Sequence, residues 1–236
     1  MKYGLMAIAL ILTAGTAFAM SDLYVSGTWR YRITVEVETP EGIKTGSAVR
    51  EVSNAASSIR FGFPESTSPP EVRGEAVVVD LGERGVLFAL IDWDSWREVS
   101  ETFPYTAAKG IPDRIRHFKN LKPGTSAPLS KKQWPMMVTF GDLSDPKSVK
   151  LVKGGRFNKK KQAFDPVDDF ETLFGEGVSL KNITIEITKD KVSWGIEKWL
   201  SWLKEVGGGY LDGRFSGGGP ELSNILHGGN FKRGKM

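Results

Sequence analysis

The chain contains no cysteine. That excludes a disulfide framework, a thiolate metal centre, a cysteine nucleophile and a lipid-bearing cysteine behind a leader, so the fold must be held by its core alone. Histidine is nearly as scarce: His117 and His227 stand far apart in sequence, with no serine motif or ligand spacing beside them. Neither a catalytic triad nor a zinc site is expected from that pair. Phosphate-loop, dinucleotide and calcium-loop patterns are missing as well, and Asp142-Leu143-Ser144-Asp145 is too short to replace one. No cofactor and no metal is expected.

What is present begins with a leader. Lys2, the apolar run Leu5–Leu12 and the small-x-small tripeptide Ala17-Phe18-Ala19 are the three parts of a secretory signal, which predicts cleavage after Ala19 and a periplasmic or secreted protein. Two alternatives stay open. Residues 3–21 carry no charge and approach the roughly 20 residues that span a bilayer, which would leave an inner-membrane anchor. A start at Met20 would instead remove the leader and make the chain cytoplasmic.

A hydrophobic share of 40% with 11% aromatics is enough for a sizeable core. The expected organisation is a signal peptide over 1–19, one β-rich domain over 20–206 and a flexible tail over 207–236. The tail expectation rests on glycine, ten of the 27 glycines falling in those last thirty residues, because dense glycine costs backbone entropy to order.

Hydrophobic period sets the fold class. Tyr31, Ile33, Val35 and Val37 alternate with Arg30, Arg32, Thr34 and Glu36, which marks a half-buried strand, and Pro40-Glu41-Gly42 supplies a turn into a returning strand over Ile43–Val52. A short strand is expected at Ile59–Phe63. Val72–Asp80 and Val86–Ile91 read as a second hairpin whose strands sit centrally in a sheet, and strands resume at Met136–Phe140, Val149–Val152 and Val178–Thr188. The Pro-rich stretch Asp92–Trp134 reads as long connections with one helical turn near Asp113–Phe118. Asp165-Pro166 reads as a helix start. Ile196, Trp199, Leu200 and Leu203 follow the i, i+3, i+4, i+7 spacing of an amphipathic helix over Asp190–Glu205. These patterns predict an α+β fold, a mainly antiparallel β-sheet with that C-terminal helix packed on it; an all-β sandwich or barrel is the alternative.

Three clusters are candidates for function. Between Lys109 and Lys161 lie fourteen Lys or Arg against three Asp, a local excess of +11 in a chain of net charge +4. Within it, Lys147–Lys161 has seven cations and no acid, so Lys150, Lys153, Arg156, Lys159, Lys160 and Lys161 are the candidate binding residues for an anionic surface. The bland alternative is a solvated loop paired with Asp165, Asp168, Asp169, Glu171 and Glu176. Asp92 and Asp94, two apart at a strand end beside Trp93 and Trp96, are candidate catalytic carboxylates for glycan hydrolysis, set against a polar strand end capped by indoles. Trp194 and Trp202 are candidates for an exposed aromatic face, while Trp199 reads as core.

Segments Val35–Gly42 with Lys44-Thr45-Gly46-Ser47, Val138–Val149, Gly195–Lys198 and Tyr210–Gly213 resemble a group of uncharacterised exported proteobacterial proteins. The resemblance implies export and assigns no reaction. The function expected from these readings is a non-catalytic binding or envelope-interaction module using its basic middle, with an anionic envelope component or another envelope protein as partner. Nucleic acid is not an expected partner of an exported chain. A carboxylate-based hydrolase acting on a glycan is the alternative.

Overall fold

The computed structural model describes residues 24–57, 66–107, 110–158 and 160–234. The leader, the anchor alternative over 3–21, the strand expected at Ile59–Phe63 and the candidate Lys159 lie outside the described residues. Among the described residues no helix is long and apolar enough to cross a membrane.

The first alternating segment forms β1 (Tyr24–Thr39), which buries Tyr31, Ile33, Val35 and Val37. Across the turn the Thr39 hydroxyl donates to the Gly42 carbonyl at 2.7 Å, and Gly42 adopts a φ of +117°, where a side chain would be strained. The chain returns as β2 (Gly42–Ser57). β11 (Ser179–Thr188) pairs antiparallel with β1 and sets Ile187, Ile185 and Ile183 opposite Tyr31, Ile33 and Val35. Directly paired residues project to one face, so both strands bury the same side.

The remaining strands are β3 (Ser66–Thr67), β4 (Glu71–Glu75), β5 (Val77–Asp80), β6 (Val86–Ala89), β7 (Ser126–Pro128), β8 (Met137–Phe140), β9 (Val149–Asn158), β10 (Ala163–Asp168) and β12 (Lys232–Arg233). One sheet runs β12-β4-β2-β1-β11-β7, with β3 added to β2; the other runs β10-β9-β8-β6-β5. The protein is thus mostly antiparallel β, and neither sheet closes into a barrel. β6 lies inside its sheet, but the strand expected over Val72–Asp80 is split: β4 lies inside one sheet, and β5, which pairs with β6, is the edge strand of the other.

The chain forms two compact units. The smaller is built from the segment ending at Trp29 with Val52–Glu71 and Tyr105–Leu121; the larger takes Arg30–Glu51, Val72–Pro104 and the chain from Lys122 onward. In the smaller unit a helix, Ile111–Lys119, has Pro112 in its first turn, where a missing N–H costs nothing, and buries Ile115 and Phe118. Trp29 packs on Phe118 with ring centroids 5.3 Å apart.

The larger unit has a core in which Phe88 of β6 and Phe140 of β8 meet Ile196, Leu200, Trp202, Leu203 and Phe231. Here three sequence expectations are corrected. No continuous helix spans Asp190–Glu205; a 3-10 turn at Ile196–Lys198 and a single α-turn at Leu203–Val206 replace it. Gly195 sits at a φ of +144°, and Ser193 spends its backbone N–H on the Val49 carbonyl and its hydroxyl on the Val49 N–H, so the helical ladder cannot start there. Asp165-Pro166 starts no helix either. It lies in β10, at a sheet edge where proline's missing N–H breaks no ladder, and the helix begins after Asp169, at Phe170–Phe174. The glycine-rich segment is not a detached tail: Leu211, Leu226 and Phe231 are buried, and β12 pairs with β4.

Candidate functional site

The basic run folds as an edge hairpin. β9 and β10 pair with Phe157 opposite Phe164, Arg156 opposite Asp165 and Lys153 opposite Asp168. The hairpin's turn is organised by Asn158, whose Oδ1 accepts the N–H groups of Lys160 and Lys161 at 3.0 and 3.2 Å. The amide of Asn158 donates to Asp165 at 2.6 Å, and the Lys161 ammonium lies 2.7 Å from the other Asp165 oxygen. These two partners, the Asn158 bond first, hold the Asp165 carboxyl below its ordinary range.

The acids following the run therefore neutralise part of it, as the bland alternative expected. Lys153 pairs with Asp168 and also stands 5.6 Å from the Trp134 ring centroid, and Lys161 pairs with Asp165. Lys150, Arg156 and Lys160 have no carboxylate partner among the described residues. Between the cations stand two phenylalanines. Phe157 and Phe164 are 49% and 68% exposed and stack edge-on with centroids 5.3 Å apart. Gly155 makes room for this: a Cβ there would meet the Phe164 Cβ at 3.0 Å and its ring at 3.3 Å.

Behind the hairpin lies a groove of about 810 Å³. Lys150, Arg156, Phe157 and Phe164 form part of its wall, and Leu222 and Ile225 of the glycine-rich segment form another part. A shallower depression of about 420 Å³ is lined by Arg156, Phe157, Asn158, Lys160 and Asp165. The structure therefore brings Lys150 with Arg156 and Arg156 with Lys160, and sends Lys153 to its own pair.

The candidate carboxylates behave differently from the strand pair expected. β6 ends at Ala89, and Asp92-Trp93-Asp94-Ser95 is a turn leading into a helix at Arg97–Thr102. The Ser95 hydroxyl accepts the Asp92 N–H at 2.9 Å, and the Asp94 carbonyl accepts the Arg97 N–H at 2.7 Å, so local turn chemistry overrides the strand period. The Asp92 carboxylate accepts the Met136 N–H at 3.1 Å, Trp93 is 79% exposed, and neither acid lines any of the three described cavities. Burial pushes the Asp92 carboxyl above its ordinary 3.8, against the Met136 bond and the pull of Arg50. A carboxyl raised by folding favours the folded state below its unfolded value, and that contribution is lost as pH rises through the raised value. Asp92→Asn is therefore expected to remove a fall in stability on the rise from about pH 4 toward neutrality, read as urea midpoints against pH. Parallel curves for both proteins would show that Asp92 is not shifted by folding.

His117 lies in the smaller unit between Tyr105 and Phe118, at ring distances of 5.3 and 5.1 Å, and its Nε2 is buried without a hydrogen-bond partner among the described residues, as is the Trp29 indole N–H. His227 caps a turn in the larger unit, with its N–H donating to Asn230 at 3.0 Å, and burial lowers its imidazole's proton affinity. The two histidines share no chemistry. Of the two tryptophan candidates, Trp202 is core, donating its N–H to the Leu143 carbonyl at 2.9 Å, while Trp194 is partly exposed with the Lys232 ammonium 5.4 Å from its ring.

No local pattern in the amino-acid order signals the buried polar cluster around Arg50. Arg50, fully enclosed, donates from Nη1 to both Glu98 oxygens at 2.9 and 3.2 Å, from Nη2 to the carbonyls of Ala89 and Leu90 at 3.2 Å each, and from Nε to the Glu75 carbonyl at 3.2 Å. The Tyr31 hydroxyl donates to Glu98 at 2.7 Å. Burial is the largest single influence and works against the guanidinium's charge, but Glu98, Tyr31 and Asp92 together outweigh it and hold Arg50 above its ordinary value. Burial also pushes the Glu98 carboxyl up, more than Arg50 and Tyr31 pull it down. Each donor is occupied by the protein's own oxygens, so this cluster ties β2 to β6 and to the Arg97–Thr102 helix and leaves nothing to offer a substrate. Comparison of the chain with protein-family models, with curated proteins and with solved structures finds no match.

Proposed function

We propose that the protein is a non-catalytic envelope module that docks on an anionic lipid surface through the β9–β10 hairpin. The observation that carries this reading is the pair of stacked, exposed phenylalanines on an edge hairpin whose Arg156 and Lys160 have no carboxylate partner among the described residues. Large apolar side chains stay in water at a cost of up to about 1.5–3 kcal/mol each, which insertion below a headgroup layer would remove. Each cation near an anionic surface contributes about 1 kcal/mol, screened by salt. The sum fits reversible docking. Export through the leader places the chain beside such a surface, and the resemblance to exported proteins agrees with it.

The test is co-sedimentation with vesicles of phosphatidylcholine containing phosphatidylglycerol. Binding is expected to weaken steeply with salt. Lys160→Glu should lower affinity about fivefold or more and flatten the salt dependence. Phe164→Ser should lower it about tenfold at every salt concentration. Binding that ignores salt, or that survives Phe164→Ser unchanged, would remove the hairpin from the interface.

A further inference from the structure

We infer that the groove behind the hairpin binds one single-chain phospholipid whose head carries both a phosphate and an ammonium group. The inference rests on the docking reading for delivery of the lipid, because Arg156, Phe157 and Phe164 belong to both the hairpin face and the groove wall.

Shape and lining argue for an acyl chain. At about 810 Å³ the groove falls in the range of small-molecule sites, about 300–1,000 Å³. Its floor and sides are hydrocarbon from separate elements, with Met136 and Leu151 near the sheet, Leu173 from the Phe170–Phe174 helix, and Leu222 and Ile225 from the glycine-rich segment. Ile225 is 53% exposed there, and Phe164 stands open at the same wall. A flexible hydrocarbon chain covers such a lining without asking any hydrogen bond of it. Among the lining side chains the only polar ones are the charged Lys150, Arg156, Asp169 and Glu221, and the rest of the lining is hydrocarbon, glycine or proline, which suits a hydrocarbon chain better than a sugar.

The charges choose the head. Lys150 and Arg156 line the groove as cations without an acidic partner, and a guanidinium fork matches phosphate oxygens in two parallel bonds. Asp169 and Glu221 line it too, and neither is engaged in an ion pair among the described residues. Two cations with two carboxylates repel a purely anionic or purely cationic head in part, and match a head with both signs. A fatty acid complements the cations alone, whereas a phosphoethanolamine head carries both of the charges that complement the lining.

The experiment is calorimetric titration of the protein with lysophosphatidylethanolamine below its micelle concentration, with lysophosphatidylglycerol as the companion ligand. One-to-one saturable binding is expected, with lysophosphatidylglycerol about tenfold weaker and Glu221→Gln narrowing that gap. Ile225→Glu, at a position exposed enough to leave the fold intact, should weaken both lipids about tenfold or more, and Arg156→Gln should weaken both. Absence of saturable binding, or affinity unmoved by Ile225→Glu, overturns the site. Equal affinity for the two lipids overturns the head assignment. Lys160 does not line this groove, so Lys160→Glu should reduce vesicle docking and leave the lysolipid titration unchanged. Vesicle binding without lysolipid binding removes the groove and keeps the docking face, and the reverse result removes the docking face and keeps the groove.

Discussion

Arg50→Met is expected to lose about 3–5 kcal/mol of folding stability at neutral pH, read as a lowered urea midpoint with unchanged slope. The change is close to neutral in volume, so packing is not the main cause. What is lost is the counter-ion of the buried Glu98 and the donors to the carbonyls of Glu75 and of the fully buried Ala89 and Leu90. A buried carboxylate left alone takes up a proton, and burial already raises the Glu98 carboxyl in the intact cluster. Without Arg50 the folded-state value rises further above the unfolded one, so the variant should recover stability as pH falls toward the unfolded value and lose it as pH rises through the folded one. The deficit is therefore larger at about pH 8 than at about pH 5. Arg50→Met combined with Glu98→Leu and Tyr31→Phe removes every charge at once and is expected to regain most of the loss, because an apolar replacement of a buried ion pair is often neutral. A single variant within about 0.5 kcal/mol of wild type would mean that the guanidinium keeps water in the folded protein.

This cluster also marks the limit of what the amino-acid order reveals. Val49-Arg50-Glu51-Val52 reads as two charged residues in a strand, and strand period alone would turn one of them to solvent. Both are buried instead: Arg50 is enclosed against the ends of β6 and the Arg97–Thr102 helix, and Glu51 accepts from Arg30 at 2.7 Å. Partners 48 residues away decide that outcome, and no local pattern carries them. Strand period was legible where neighbours agree with it, as in Tyr31, Ile33 and Val35 facing Ile187, Ile185 and Ile183. The Ile196–Leu203 spacing likewise picked out Ile196, Leu200 and Leu203, which two separate turns bury in place of the single helix expected, but it exchanged the tryptophans: Trp202 is buried and Trp199 only partly so. The cations of the hairpin were legible as a run, but their division into paired and unpaired members depends on cross-strand register. Phe157 and Phe164 pair through that register also, which is why no reading of a linear run singled them out.

Phe231→Ala is expected to cost about 3–5 kcal/mol, as for a large side chain removed from a rigid core, and it tests the glycine-rich segment directly. The ring is fully buried, with Phe88, Trp202 and Phe140 centroids at 6.2, 5.9 and 5.8 Å. Its carbonyl accepts the Ala76 N–H at 2.8 Å, at the break between β4 and β5 where the chain passes from one sheet to the other. The glycines that suggested a loose tail serve close approach at this point: a Cβ on Gly228 would stand 1.8 Å from the Gly207 carbonyl oxygen, so any side chain there would force two backbone segments apart. Glycine content measures freedom in the unfolded chain, and in the folded chain the same residue permits backbones to touch. Phe231→Leu keeps most of the apolar surface and should cost about 1 kcal/mol, which separates lost volume from lost ring contacts. If urea denaturation finds Phe231→Ala within about 1 kcal/mol of wild type, the segment is detached from the core in solution. The wall that Leu222 and Ile225 give to the groove would then be lost with it.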